Sequence, residues 1–258
     1  MASPRAYSGP LRERATRRRR SRTARRWTIV ALFAATALVV TLLLAAFSSP
    51  SSSLLACPTG DATLLETGRP LPKTIAVQGE VVIDLPVACQ FVTALGYHGA
   101  SGNVLPLEPV GRQANEGIFA RILHRLTEDD TSGVTYHQLS GGTGPKTGAL
   151  DVGAPAGTAV YAPVDGTVVS IRDFVLDGRR YGHRIDVVPD KSPSVVVSIR
   201  RLRADPSLTV GSSVAKGTSK IGKVLDLSLA EDQALAEITN DPGNHVTIEV
   251  RPAANLGP

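Results

Sequence analysis

Asp151-Val-Gly-Ala-Pro-Ala-Gly-Thr-Ala-Val-Tyr-Ala-Pro-Val-Asp-Gly-Thr-Val-Val, ending at Val169, carries the strand and turn signals from which the fold follows. Its short apolar runs are divided by Gly157 and by Asp165-Gly166, the punctuation of a strand, a tight turn and a returning strand. A second stretch of the same character follows at 210–222: Val-Gly-Ser-Ser-Val-Ala-Lys-Gly-Thr-Ser-Lys-Ile-Gly. Gly157, Gly166, Gly211 and Gly217 each stand where a corner would need positive φ, which glycine adopts without steric cost. The two blocks predict a pair of strand–turn–strand corners.

Working outward, two strands are expected over 74–85 around Gln78-Gly79, and others at 158–161, 166–172, 183–188, 194–200 and 245–251. Helical spacing predicts a short helix over 118–126. A second helix is expected over 227–238, opened by Asp226 or Ser228 as its cap. No long heptad run and no solenoid repeat is present. Aromatic residues make up only 4% of the chain, so the core must be built from Val, Leu, Ile and Ala. A boundary between a small β-rich subdomain, 57–140, and the main module, 141–258, is expected within Ser140 to Lys146.

The two blocks, followed by the strand end Gly243-Asn-His-Val-Thr-Ile-Glu-Val-Arg251, resemble the LytM or lysostaphin-type murein endopeptidases over about residues 147–251. Those domains carry Asp-x-x-x-x-x-Gly-Thr-x-Val-x-Ala, matched here by Asp151, Gly157, Thr158, Val160 and Ala162. They then carry a Gly- and Val-punctuated block and end on a His-x-His-x-Glu strand. The resemblance implies a mainly β fold, a LytM-like β-sandwich or barrel-sandwich built on a duplicated hybrid motif.

It also implies a chemistry that can be followed residue by residue. The family holds one zinc with the His and Asp of a His-x-x-x-Asp motif and the second His of His-x-His. The first His of that pair, and another preceding a Leu on a neighbouring strand, serve the attacking water. In this chain Asp151 keeps the Asp position and His245 keeps the first His of the pair. Thr147 and Thr247 stand at the two zinc-binding His positions, and Arg201, before Leu202, stands at the further catalytic His. One carboxylate with two neutral hydroxyls is a poor tetrahedral set for Zn²⁺. Without the metal no bound water is brought to a pKa near 7. The resemblance therefore implies the fold without the reaction, and no cofactor is expected.

What it leaves is a groove of Asp151, His183, Arg201, His245 and Thr247, binding a peptidoglycan stem or bridge peptide or regulating a cell-wall hydrolase. Two other readings stay open. One is an active zinc endopeptidase with substitute ligands. The other is an envelope adaptor, because Ala162-Pro-Val-Asp-Gly166 and Val210 to Gly217 also resemble the barrel-sandwich hybrid of membrane-fusion transport proteins. Those proteins insert a coiled-coil hairpin between the two halves, where this chain has 43 residues that look β-rich.

Other groups have plainer readings. His137, ten residues before Thr147, would have to swing in from a Gly-rich loop to replace a ligand. His98, in Gly-Tyr-His-Gly, reads as a turn residue, and His124 with Glu128 as a surface pair at helical spacing. Gly141-Gly-Thr-Gly-Pro-Lys-Thr-Gly lacks the adjacent Gly-Lys-Thr order of a phosphate loop. No Gly-x-Ser-x-Gly nucleophile elbow is present.

The N-terminus reads separately. Residues 1–26 hold ten arginines against Glu13 alone, while the remainder carries 18 basic and 22 acidic residues. A nucleic-acid reader would put its basic surface on the folded domain, so no nucleic-acid partner is expected. Trp27 to Phe47 is 21 residues without a charge, roughly 31 Å as a helix and close to the hydrocarbon thickness of a bilayer. Arg17 to Arg20, Arg22, Arg25 and Arg26 precede it, which by the positive-inside rule keeps the N-terminus cytoplasmic. A single-pass helix over 27–47, a Ser-rich linker over 48–56 and an extracytoplasmic C-terminal domain are therefore expected. A cleaved signal peptide, or a lipoprotein through Leu54-Leu-Ala-Cys57, are the competing readings. In an exported domain Cys57 is best used in a disulfide with Cys89, contributing about 3–4 kcal/mol in the chain-entropy account. A reporter fused after Pro258 should be active only outside the cytoplasm; cytoplasmic activity would contradict this topology.

Overall fold

The computed structural model describes residues 27, 29–41, 68–117 and 133–255. Contacts divide the chain into two units, 1–52 and 53–258. In the first, residues 29–41 are helical. Thr36 Oγ1 donates to the Leu32 and Phe33 carbonyls and Thr41 Oγ1 to those of Ala37 and Leu38, so both hydroxyls are satisfied within the helix. Among the described residues no helix is long and apolar enough to cross a membrane. The 42–47 end of the expected span lies outside them, as does the helix expected over 118–126.

The second unit is built of strands. β1 is Thr74–Gln78, β2 Val81–Asp84, β3 Leu95–His98, β4 Glu108–Pro109 and β5 Arg112–Gln113. β6 is Thr135–Gln138, β7 Ala149–Gly153, β8 Ala159–Tyr161, β9 Gly166–Leu176 and β10 Arg179–Pro189. β11 is Val195–Ala204, β12 Ser213–Val214, β13 Lys220–Val224 and β14 His245–Pro252. The strands expected around Gln78-Gly79 and at 158–161, 166–172, 183–188, 194–200 and 245–251 are all present, with β9, β10 and β11 longer than expected. Nothing helical interrupts 166–204, so no coiled-coil hairpin of the adaptor kind stands there. The helix expected over 227–238 is instead a single 3₁₀ turn, Ala234–Glu237. Asp226, expected as its cap, accepts from the Ser228 N–H and hydroxyl in a local turn.

The main sheet runs β12-β9-β10-β11-β14-β7-β3-β6-β5, with β13 joining β11 to β8, and β2-β1-β4 forms a small second sheet. The expected boundary at Ser140 to Lys146 does not divide this sheet. β3 pairs with β7, so residues on both sides of that boundary share one sheet and one core. Tyr97 fastens the two sheets together: its hydroxyl donates to the Ile75 carbonyl at 2.6 Å, and its ring meets Tyr136 edge-on.

Period-two alternation sets the faces. Val246, Ile248 and Val250 on β14, Leu150 and Val152 on β7, Leu95 and Tyr97 on β3, and Val197 and Ile199 on β11 enter the core. The intervening residues, His245, Thr247 and Glu249, Asp151, Gly96 and His98, Ser198 and Arg200, line the opposite face. Cys89 is disulfide-bonded. Cys57, its expected partner, lies outside the described residues.

Gly157, Gly211 and Gly217 have the expected positive φ; Gly166 does not. Gly166 is needed for a close approach instead, because a Cβ there would lie 2.2 Å from the Val188 carbonyl oxygen. Gly166→Ala should cost about 1–3 kcal/mol through overpacking. Urea unfolding measures this, and an unchanged midpoint would contradict the assigned contact.

Candidate functional site

Register brings the site together. Thr247 lies directly opposite Asp151 across β14 and β7, and Asp151 directly opposite Gly96 across β7 and β3. Gly96 has no Cβ because Leu139 and Leu235 fill the space above it, at 2.5 and 2.9 Å from where one would stand. His98, two residues along β3, is thereby on the same face as Asp151. The carboxylate is 3% exposed and surrounded by donors. Thr247 Oγ1 donates to Oδ1 at 2.7 Å. His98 Nε2 stands 3.2 Å from Oδ2 and His245 Nε2 3.5 Å from the same oxygen.

The two imidazoles are held alike, but their pKa values move in opposite directions. His98 Nδ1 lies 2.7 Å from the Gly99 carbonyl and His245 Nδ1 2.8 Å from that of Gly243. A carbonyl only accepts, so each Nδ1 carries its proton. The hydrogen bond to Asp151 raises the His98 pKa above its ordinary value, against the opposing effect of burial. Burial lowers the His245 pKa, outweighing Asp151, with the nearby Arg201 charge acting in the same direction. Asp151 thus favours protonation of His98, while burial disfavours it at His245. Burial by itself would raise the Asp151 pKa. The facing His245 and His98 and the hydrogen bonds from His98 and Thr247 overcome it and hold the carboxyl well below the usual carboxylate range.

Arg201 guards the mouth. It is one of two non-glycine residues with positive φ among those described, at 64°, in a bulge where Arg200 and Arg201 together oppose the single residue Arg184. The bulge splits their aims: Arg200 pairs with Glu249, while Arg201 pairs with Glu231, contacts Gln233 and stacks over Phe174. Residues 139–142 and 231–234, with His98, Asp151, Arg201 and His245, line a cleft of about 210 Å³.

Of the groove residues expected from sequence, Asp151, Arg201, His245 and Thr247 meet here. His183 does not: its Nδ1 accepts from the Ala204 N–H, a strand-to-strand contact away from the cleft. No contact of the Thr147 side chain with Asp151 is present, and only the Thr147 carbonyl is engaged, by the Leu107 N–H. His137 lies on β6 with Nδ1 buried and unpartnered, outside the cleft. His98, read as a turn residue, is a strand residue at the centre of the site. The signal was available in Leu95-Gly-Tyr-His: with Leu95 and Tyr97 facing in, alternation puts Gly96 and His98 on the cleft side.

The zinc that the resemblance implies would meet a poor set of donors here. Thr247 presents a hydroxyl where an imidazole is required, and that hydroxyl already binds Asp151 Oδ1. Among the described residues no three His, Cys, Asp or Glu side chains are arranged to hold a metal ion. The family's donor set does not fit, and no hydrolytic step follows from it.

No family model matches the chain, and no curated protein matches it. Solved structures do. The chain is similar to lysostaphin, at 18% identity over 41% of this chain and 36% of that one, with a TM-score of 0.31. It is similar to the metalloprotease pseudoalterin from the deep sea, at 13% identity over 72% and 70% of the two chains, TM-score 0.32. A zinc containing peptidase from Vibrio cholerae matches at 15% identity over 72% of this chain and 39% of its own, TM-score 0.29. These are likenesses of fold, and the chain spans well under two thirds of lysostaphin and of the Vibrio peptidase.

The ion pair makes a signed prediction. Because the folded-state pKa of His98 is raised, its contribution is complete below the unfolded value, about 6.5, and is lost as pH rises through the folded value. The stability lost in His98→Ala should therefore be largest near pH 6 and shrink towards pH 9. Urea unfolding across that range checks it, and a pH-independent loss would contradict the pairing.

Proposed function

We propose that this chain is a non-catalytic, LytM-like wall-binding protein, anchored by the 27–47 segment with its C-terminal domain outside the cytoplasm. Its cleft beside Asp151 takes a peptidoglycan stem or bridge peptide. One observation carries the reading: the Thr247 hydroxyl on Asp151 Oδ1. The carboxylate is committed to protein donors on both oxygens, so it serves as a tie between three strands and leaves no site for an activated water.

The cleft around it retains what a peptide requires. The Gly141-Gly142 wall carries no side chains, and Gly142 could carry none, since a Cβ would lie 1.8 Å from the Gly99 carbonyl oxygen. Backbone there is free to meet backbone, while Glu231, Asp232 and Arg201 supply charge at the rim. Such an arrangement suits an extended chain held by main-chain hydrogen bonds.

Ser140 is exposed at the lip, so Ser140→Trp should fill the cleft without disturbing the core. The wild-type chain should sediment with purified sacculi and release no soluble peptide, and Ser140→Trp should lower the bound fraction several-fold. Undiminished binding would move the interaction to another surface. Chelator-sensitive release of peptide, abolished in His98→Ala, would overturn the non-catalytic reading and make His98 a substitute ligand.

A further inference from the structure

Arg203 on β11 and Lys223 on β13 are directly opposite in register. Like charges so placed repel and destabilise an antiparallel pair. Elsewhere on the sheet the same arrangement is relieved: Arg172 faces Arg184, and Asp186 takes the Arg184 guanidinium at 2.8 Å. Lys220, three residues before Lys223 on β13, is also paired, with Asp205. Arg203 and Lys223 are both exposed, and no carboxylate pairs with either among the described residues. They line a pocket of about 290 Å³, separate from the Asp151 cleft, with Ala156, Gly157 and Asp226. The residue facing Lys223 on its other side, on β8, is Ala159, too small to cover it.

Asp226 sets the ligand's chemistry. Its Oδ1 is taken by the Ser228 N–H and hydroxyl and by Asn244 Nδ2 at 3.3 Å. Oδ2 has no hydrogen-bonding partner there. The pocket therefore offers two cations for an anion and, at its edge, one acceptor for an N–H, with a net charge of +1. A monoanion that carries its own N–H satisfies every group, whereas a phosphate dianion would bring its second charge against Asp226.

We propose that the Arg203–Lys223 pocket binds the carboxylate end of a peptide, with Arg203 and Lys223 on the carboxylate and Asp226 on the terminal amide N–H. The repulsion between the two cations is then relieved by the ligand in place of a protein carboxylate. This site stands independently of the cleft reading, since no residue is shared.

The test uses the full chain in detergent with three probes: N-acetylalanine, its neutral amide analogue and inorganic phosphate. N-acetylalanine should shift the NMR signals of Gly157, Arg203 and Lys223, and the neutral amide should not. Lys223→Glu should raise the melting temperature, by replacing repulsion with attraction, and weaken N-acetylalanine binding at least about tenfold, the scale of one lost charge-assisted hydrogen bond. Arg203→Gln should weaken it comparably, which keeps the test decisive should Lys223→Glu fail to fold. Equal response to the neutral amide, response to phosphate alone, or full binding in either variant would overturn the assignment.

Discussion

The register of β14 against β7 is the constraint on which the site depends. With Thr247 opposite Asp151, the polar residues of β14, β7, β3 and β11 lie on one face and the apolar residues between them fill the core. A slip of one residue would bury Asp151, His245 and Glu249 among Val246, Ile248 and Leu150 and expose the core set to water. The hydrophobic pattern therefore specifies the site as strictly as it specifies the fold. The glycines reinforce it: Gly96 admits Leu139 and Leu235 over the strand, and Gly153 admits Leu235 from the other side.

Within that frame Asp151 is a buried charge that needs partners. A buried carboxylate is tolerated only when its charge is matched and its lone pairs are satisfied. Thr247 satisfies Oδ1, and His98, whose pKa the pairing raises, faces Oδ2. His245 is more deeply buried, and burial lowers its pKa. Two histidines with the same backbone anchor thus have pKa values shifted in opposite directions, because His98 hydrogen-bonds Asp151 and burial dominates at His245. Arg201 completes the cleft's lining and pairs with Glu231.

The fold was largely legible because its signals are local. Strand periods and turn glycines each depend on residues a few positions apart, and the corners at Gly157, Gly211 and Gly217 were placed from these alone. Gly166 shows the limit: its need is for space against Val188, twenty-two residues away, which no local pattern records. The 227–238 segment misled for a related reason. Its helical spacing was real, but Leu235 is drawn down onto Gly96 and Gly153 and Asn244 takes the Leu227 N–H, so tertiary contacts override a weak local preference. At the site, Asp151, Arg201, His245 and Thr247 were found through motif positions. His98 was not, since it comes from a strand outside the motif and reaches Asp151 only through the pairing of β3 with β7.

The groups that hold Asp151 decide the character of the site. Nitrogen-15 NMR of the histidine rings, with and without added zinc, reads this directly. On raising the pH, His98 should keep its second ring proton to a higher pH than His245 does. Equimolar zinc should leave both patterns unchanged. A zinc-induced shift of Nε2 in both rings would contradict the account, by showing that the two imidazoles and Asp151 close on a metal rather than on one another.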